Sequence, residues 1–287
     1  MQIHFIGVGS KRMTNLAITM CNLGHQVTVS DLKFEHVTES LLKSNNLFPS
    51  ELGWFPDKIH KKLNAAVFDS GVTLDNPELQ RAEELGIKIL SFAEFLFEQM
   101  QHKTRVVIAG SGRNVVAQMI LHVLEFNDKT VDSFLHDKLQ LSEANDFIVL
   151  TGSDASMAAF DLKPEFEIYQ PNIALLSGME TNDSTEKFQT FVDGIVKGGS
   201  ITFNEEDPQV KSIVETTENP IRKFPYTTPD YSEADGVLYL DTPDGEMPLE
   251  ITGETNLSYL AGTKWICQQM GVDEEDFYDA MATFTLA

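Results

Sequence analysis

The chain has 287 residues, and 44 acidic against 21 basic side chains leave a formal net charge of −23. At ~100–200 residues per domain, that length predicts two domains, each able to bury a core. So acidic a chain is unsuited to binding nucleic acid or an anionic membrane surface, and no apolar run approaches the ~18–20 residues that span a bilayer, so no membrane insertion is expected.

Gln2–Ile6 opens the chain as a strand rather than a basic-flanked leader, and Cys21 and Cys267 both sit in helix-like apolar patterns. A cytoplasmic protein without a disulfide framework is therefore expected. Ile3–Val8 reads as a strand, followed by a helix with Met13, Leu16, Ala17, Met20 and Leu23 on one face, and by a second strand at Gln26–Ser30. Strand, glycine turn, helix and strand in that order make a βαβ unit, hence a parallel sheet. Ala65–Asp69 and Ile87–Leu90 continue it, with a helix start at Asn76-Pro77 between them. Phe92, Phe95 and Phe97 belong to an amphipathic helix and are expected in a core between domains.

Gln101–Thr104 is a polar break, so the expected domains are 1–102 and 103–287. A second strand–glycine–helix unit follows: Arg105–Ala109, Gly110-Ser111-Gly112, Val115–Phe126. Strands are expected at Phe147–Leu150, Ile173–Leu176 and Ser200–Phe203, with a helix at Thr185–Val196. Gly236–Asp241 and Met247–Ile251 flank Thr242-Pro243-Asp244-Gly245 as a hairpin, and helices around Leu257–Met270 and Asp273–Phe284 close the chain. His122 and Trp265 fall at helix spacing among apolar residues and read as packing. Glu274-Glu275-Asp276 reads as a helix start rather than a metal site.

Two glycine turns carry the candidate chemistry. Gly7-Val8-Gly9 can bring backbone N–H groups and a helix N-terminus to a phosphate, and Asp31 stands where an acid meets a ribose hydroxyl. A full dinucleotide fingerprint needs a third glycine at position 12, where Arg12 stands, so a ligand-free strand-to-helix turn is the competing reading. Gly110-Ser111-Gly112-Arg113-Asn114 has the same placement, but a Walker loop needs Lys and Ser/Thr at its end.

Together these segments resemble the Mur ligases, the ATP-dependent amide-forming enzymes of peptidoglycan synthesis and recycling. The resemblance is carried by Ile3–Gly9, Ser30-Asp31, Leu52–Pro56, Asp75–Leu79, Lys103–Ile108, Met119–Leu124, Asn145–Leu150, Tyr169–Leu176, Gly199–Pro208 and Asp235–Ile251. It implies an α/β protein: an N-terminal Rossmann-like UDP-sugar domain with a parallel sheet, then a central P-loop-NTPase-like α/β domain. The family's third, C-terminal domain is expected to be absent. By the same resemblance, Gly7, Gly9, Ser10, Asp31 and Lys33 would line a UDP-sugar site. Gly110, Ser111, Gly112, Arg113, Asn114 and Asn256 would form the nucleotide site.

The departures from the family pattern fall on the chemistry. The phosphate loop is one residue short, which turns following side chains by roughly 100° if absorbed in the helix. Arg113 replaces its Lys and Asn114 its magnesium-binding Thr. One carboxylate of three, Asp154, remains in the metal cluster; Asn182-Asp183 replaces an Asp-His pair; and one Asn of two remains, at Asn256. No catalytic set is intact. The first reading is therefore an inactive relative that retains UDP-N-acetylmuramate binding as a sensor or regulator, needs no cofactor or metal, and partners a complete Mur ligase. The second is an active ligase, or a truncated piece of one, in which Arg113 meets ATP and Asp154 holds Mg2+. A third, remote reading is a dinucleotide-binding redox domain.

Overall fold

The computed structural model describes residues 1–152, 163–180, 182–243 and 245–286. In chain order its first elements are β1 (Gln2–Ile6), α1 (Lys11–Asn22), β2 (Gln26–Ser30), α2 (His36–Ser44), a 3-10 turn (Pro56–Lys58), β3 (Ala65–Phe68), α3 (Pro77–Glu84), β4 (Lys88–Ser91) and α4 (Phe92–Met100). There follow β5 (Thr104–Ala109), α5 (Arg113–Phe126), β6 (Asp132–Leu135), β7 (Lys138–Gln140), β8 (Phe147–Thr151), α6 (Glu165–Ile168), β9 (Ile173–Leu176), α7 (Thr185–Asp193), β10 (Ser200–Asn204) and α8 (Pro208–Thr216). The last are β11 (Arg222–Tyr226), β12 (Tyr231–Ala234), β13 (Val237–Thr242), β14 (Gly245–Leu249), α9 (Glu254–Gln269) and α10 (Glu274–Met281).

Two compact units divide the described residues. The first takes 1–102 together with 132–144 and 163–169; the second takes 103–131, 145–152 and 170–286. The β6–β7 hairpin and α6 thus pack with the N-terminal unit although they lie far along the chain. Both units are α/β with parallel sheets, as the alternation of apolar runs and helical patterns predicts.

In the first unit the strand order is β2-β1-β3-β4, all parallel. Helix α1 buries Met13, Leu16, Ala17 and Met20, the apolar face read from the sequence. Asn76 caps α3 by accepting from the N–H groups of Glu78 and Leu79 at 2.9 and 3.3 Å. Ser91 and Glu94 form a reciprocal capping box at the start of α4. Phe95 meets Phe5 edge-on at 5.8 Å, and Phe92 lies 5.2 Å from Phe134. Phe92 thus meets a residue from beyond position 102 that belongs to the same compact unit, Phe95 packs within 1–102, and Phe97 is only half-buried.

In the second unit β11-β10-β9-β5-β8 form a parallel sheet. The expected hairpin is the antiparallel β13–β14 pair, joined by β12 as a third strand; Asp244 of its turn lies outside the described residues. Strand β1 stops at Ile6 rather than Val8 because Gly7 turns to φ +79°. Helix α7 ends at Asp193, three residues early, capped at Gly194. His122 packs, its Nε2 donating to the Ala280 carbonyl at 2.9 Å, and Trp265 stacks on Phe224 at 5.5 Å. Neither cysteine forms a disulfide, and burial pushes the Cys267 thiol far above its usual range. No helix among the described residues is long and apolar enough to cross a membrane.

Candidate functional site

In each unit the strand order reverses direction at one strand: β1 stands between β2 and β3, and β5 between β8 and β9. Ligands of open parallel sheets enter at the carboxyl ends of strands beside such switch points. Both glycine turns lie there.

The first turn is largely closed on itself. The N–H groups of Gly7 and Val8 donate to the Ser30 carbonyl at 3.0 and 3.3 Å. Gly9 N–H donates to Asp31 Oδ2 at 2.7 Å, while Asp31 Oδ1 accepts from the N–H groups of Leu32 and Lys33 at 2.6 and 3.3 Å. Asp31 thus organises the turn and its own loop. A Cβ on Gly7 would lie 2.6 Å from Val72 Cγ2, and one on Gly9 would lie 2.8 Å from the Lys33 carbonyl. Close internal packing therefore explains both glycines. Ser10 caps α1 through Met13 N–H at 3.4 Å, and the Lys33 side chain is exposed. Of the expected UDP-sugar residues, Gly7, Gly9, Ser10, Asp31 and Lys33 do converge at one end of β1 and β2.

Behind this turn lies a polar cluster that the sequence reading did not single out. His4, Ser30 and Glu78 are all fully buried. Glu78 Oε2 accepts from Ser30 Oγ at 2.5 Å and lies 3.4 Å from His4 Nε2; Oε1 accepts from Phe55 N–H at 2.6 Å. Burial alone would push the Glu78 carboxyl up. The hydrogen bonds and charge of His4, with those of Ser30 and the Phe55 N–H, outweigh it and hold the carboxyl below its usual range. Because Ser30 also receives the turn's N–H groups, this cluster fixes the turn from beneath.

The second turn opens α5 from Gly112, whose φ of +65° is left-handed. The Tyr259 ring presses on it so closely that a Cβ there would lie 2.1 Å from two ring carbons. Ser111 N–H donates to the Gly178 carbonyl at 3.0 Å, Ser177 Oγ donates to the Ser111 carbonyl, and Tyr259 Oη reaches Ser111 Oγ at 3.4 Å. Arg113 turns its Nη1 back toward the Gly110 carbonyl at 3.5 Å. Beside the turn is a cavity of about 420 Å³ lined by Ser111, Asn204, Glu206, Asp207, Glu254 and Tyr259 among others, with no Lys or Arg in its described lining.

A nucleoside triphosphate with magnesium, which the family resemblance implies, would meet a turn whose described groups are partly engaged within the protein. The ring of Tyr259 packs against Gly112, the Ser111 N–H is already spent on Gly178, and the described lining of the adjoining cavity offers no Lys or Arg to neutralise phosphates. Asn256 turns its Nδ2 to the Thr252 carbonyl at 2.7 Å, and Asp183 accepts from Glu180 N–H at 2.7 Å, so each serves its own loop. Asp154 lies outside the described residues. Among the described residues no three His, Cys, Asp or Glu side chains are grouped to hold a metal ion.

The model of the Mur ligase family, catalytic domain, matches residues 2–104. A UDP-N-acetylmuramate–L-alanine ligase of Sulfurihydrogenibium sp. is 27% identical, over 94% of this chain and 63% of that protein. The ligase of the same name from Persephonella marina is 29% identical, over 77% of this chain and 50% of its own length. The chain thus spans between half and two thirds of these relatives. Among solved structures, a UDP-N-acetylmuramate:L-alanyl-gamma-D-glutamyl-meso-diaminopimelate ligase from Neisseria meningitides matches with a TM-score of 0.82 at 19% identity, covering 100% of this chain and 98% of that one. A UDP-N-acetylmuramate-alanine ligase from Thermotoga maritima matches at 0.72 and 17% identity, covering 99% of this chain and 68% of that one. At such identities the structural likeness speaks for the fold.

Proposed function

We propose, on the premise that this chain belongs to the Mur ligase family of peptidoglycan synthesis, that it binds a UDP-N-acetylmuramate-type ligand and does not carry out ATP-dependent ligation. Its role is then that of a cytoplasmic sensor or regulator, with a complete Mur ligase as the natural partner. The observation that carries this reading is the Tyr259 ring seated on Gly112, in a loop whose Lys and Thr positions hold Arg113 and Asn114.

Ligation of this kind activates a carboxylate by phosphoryl transfer and then admits an amine. The protein's share of that work is almost wholly the placing and neutralising of charge. Loss of a single preorganised charge-stabilising donor commonly costs ~10²–10³ in rate. Here several such groups are replaced together. The first unit keeps the cationic Arg12 and Lys33 beside the carboxyl ends of its strands, the edge where such sheets take ligands, which supports retained sugar-nucleotide binding.

A second reading, an active ATP-dependent ligase acting on UDP-N-acetylmuramate with Mg2+, is favoured by the names of the relatives, one of which aligns with 94% of the chain. Calorimetric titration of the full chain with UDP-N-acetylmuramate, paired with a phosphate-release assay in ATP and magnesium, separates the two. Saturable binding without UDP-N-acetylmuramate-dependent phosphate release is expected. Such release would establish the ligase reading instead, and no binding of the sugar nucleotide would remove the sensor role.

A further inference from the structure

Arg12 stands where a third glycine would complete the dinucleotide fingerprint. Its side chain reaches the residues that follow β3 and the start of α4, within the first unit. Nε and Nη2 both donate to Asp69 Oδ1, at 3.1 and 2.5 Å, and Nη2 also reaches Ser70 Oγ at 3.3 Å. Nη1 donates to Glu165 Oε1 at 3.2 Å. The guanidinium carbon lies 4.9 Å from the centre of the Phe92 ring, which supports its flat face. The side chain is 12% exposed, so solvent still touches it.

Asp69 follows β3 directly and backs onto the glycine turn: a Cβ on Gly7 would lie 3.5 Å from Asp69 Cβ. The guanidinium is therefore held next to the turn, at the edge where this strand order receives ligands. These two carboxylates, from among the described residues, differ. Asp69 backs onto the glycine turn and engages two nitrogens. Glu165 comes from the first turn of the four-residue helix α6, 153 residues along the sequence, and engages Nη1. A guanidinium fork that holds carboxylates has the same geometry that grips phosphate oxygens.

We propose that Arg12 is the diphosphate-gripping side chain of this site and that Glu165 is its built-in competitor. A diphosphate entering over Gly7–Ser10 takes Nη1 from Glu165, while Asp69 keeps Nε and steadies the fork. Binding then carries the cost of breaking one partly buried ion pair, and α6 loses its tie to Arg12. This rests on the sugar-nucleotide reading above and assigns it a ligand contact at the position where the fingerprint fails.

The test uses the full chain and two probes, UDP-N-acetylmuramate and inorganic pyrophosphate, in calorimetric titrations of wild type and Glu165→Gln. The substitution removes the competing charge while keeping the shape and a hydrogen-bonding oxygen. Pyrophosphate is expected to bind Glu165→Gln about tenfold more tightly than wild type. Arg12→Gln, checked for folding by circular dichroism, should lose pyrophosphate binding. Saturating pyrophosphate should also speed hydrogen exchange at the backbone amides of 166–169 in the wild type.

Equal pyrophosphate affinity in wild type and Glu165→Gln overturns the proposal, even where UDP-N-acetylmuramate binds; so does the absence of pyrophosphate binding in both, or unchanged exchange at 166–169. Tighter pyrophosphate binding in Glu165→Gln with no UDP-N-acetylmuramate binding to either protein keeps the Arg12 assignment and removes the sugar-nucleotide reading.

Discussion

Replacing Glu78 with alanine is expected to destabilise the first unit by about 3–5 kcal/mol, the range for breaking a buried charge pair by removing one partner. The substitution strips an acceptor from two donors, Ser30 Oγ and the Phe55 N–H, and removes the carboxylate beside His4 Nε2. None of the three side chains His4, Ser30 and Glu78 reaches solvent, so water cannot stand in. The damage should spread to the glycine turn, because the Ser30 carbonyl holds the N–H groups of Gly7 and Val8. Urea unfolding followed by Trp54 fluorescence reads the effect, since Trp54 packs on the first unit's core; the other tryptophan, Trp265, is set to Phe to remove its signal.

The sign of the pH dependence follows from the same contacts. The Glu78 carboxyl is held below its ordinary 4.5, so its contribution is complete above that value. It is lost as the pH falls through the lower, folded-state value. Glu78→Gln lacks this component, and its deficit relative to wild type should shrink on acidification below about 4.5. A Glu78→Ala protein within 1 kcal/mol of wild type at neutral pH, by that ~3–5 kcal/mol standard, contradicts the assignment.

Gly112→Ala is expected to cost about 2–4 kcal/mol through two separate effects. At φ +65° an alanine pays roughly 1–2 kcal/mol for the left-handed backbone. The new methyl also falls 2.1 Å from carbons of the Tyr259 ring, which is 8% exposed and hemmed in at the loop, so ring or backbone must shift. Tyr259→Ala opens that space. In a double-mutant cycle followed by Trp265 fluorescence, Gly112→Ala and Tyr259→Ala together should therefore cost less than the sum of their separate effects. Strict additivity would mean that ring and glycine are not in contact.

Much of the fold was legible locally. The βαβ order, the apolar face of α1, the Asn76-Pro77 cap and the β13–β14 turn chemistry all act within a few residues, and sequence patterns encode such effects directly. Strands β11 and β12 escaped the sequence reading because an edge strand carrying Pro225 and a fully exposed strand, Tyr231–Ala234, show no alternation of buried and exposed positions. Helix α8 had a usable signal in Asp207-Pro208, a side-chain cap followed by Pro at the first helical position, which the sequence reading did not use.

The site was less legible because its decisive contacts are distant in sequence. Nothing near Arg12 announces Asp69 or Glu165, and Glu78 sits in what reads as an ordinary acidic first turn of a helix. That Arg113 and Asn114 stand where the resemblance implies a phosphate-loop Lys and Thr is an expectation the chain alone supplies. The Tyr259 ring packed against Gly112 could not be read there, because α9 reaches it only through the packing of the second unit.

The most direct measurement of the central claim is calorimetric titration of the full chain with magnesium and ATP, at protein concentrations suited to micromolar affinity. The Tyr259 ring packed against Gly112 predicts no saturable heat, with or without UDP-N-acetylmuramate present. A stoichiometric micromolar isotherm that Arg113→Ala abolishes would contradict it.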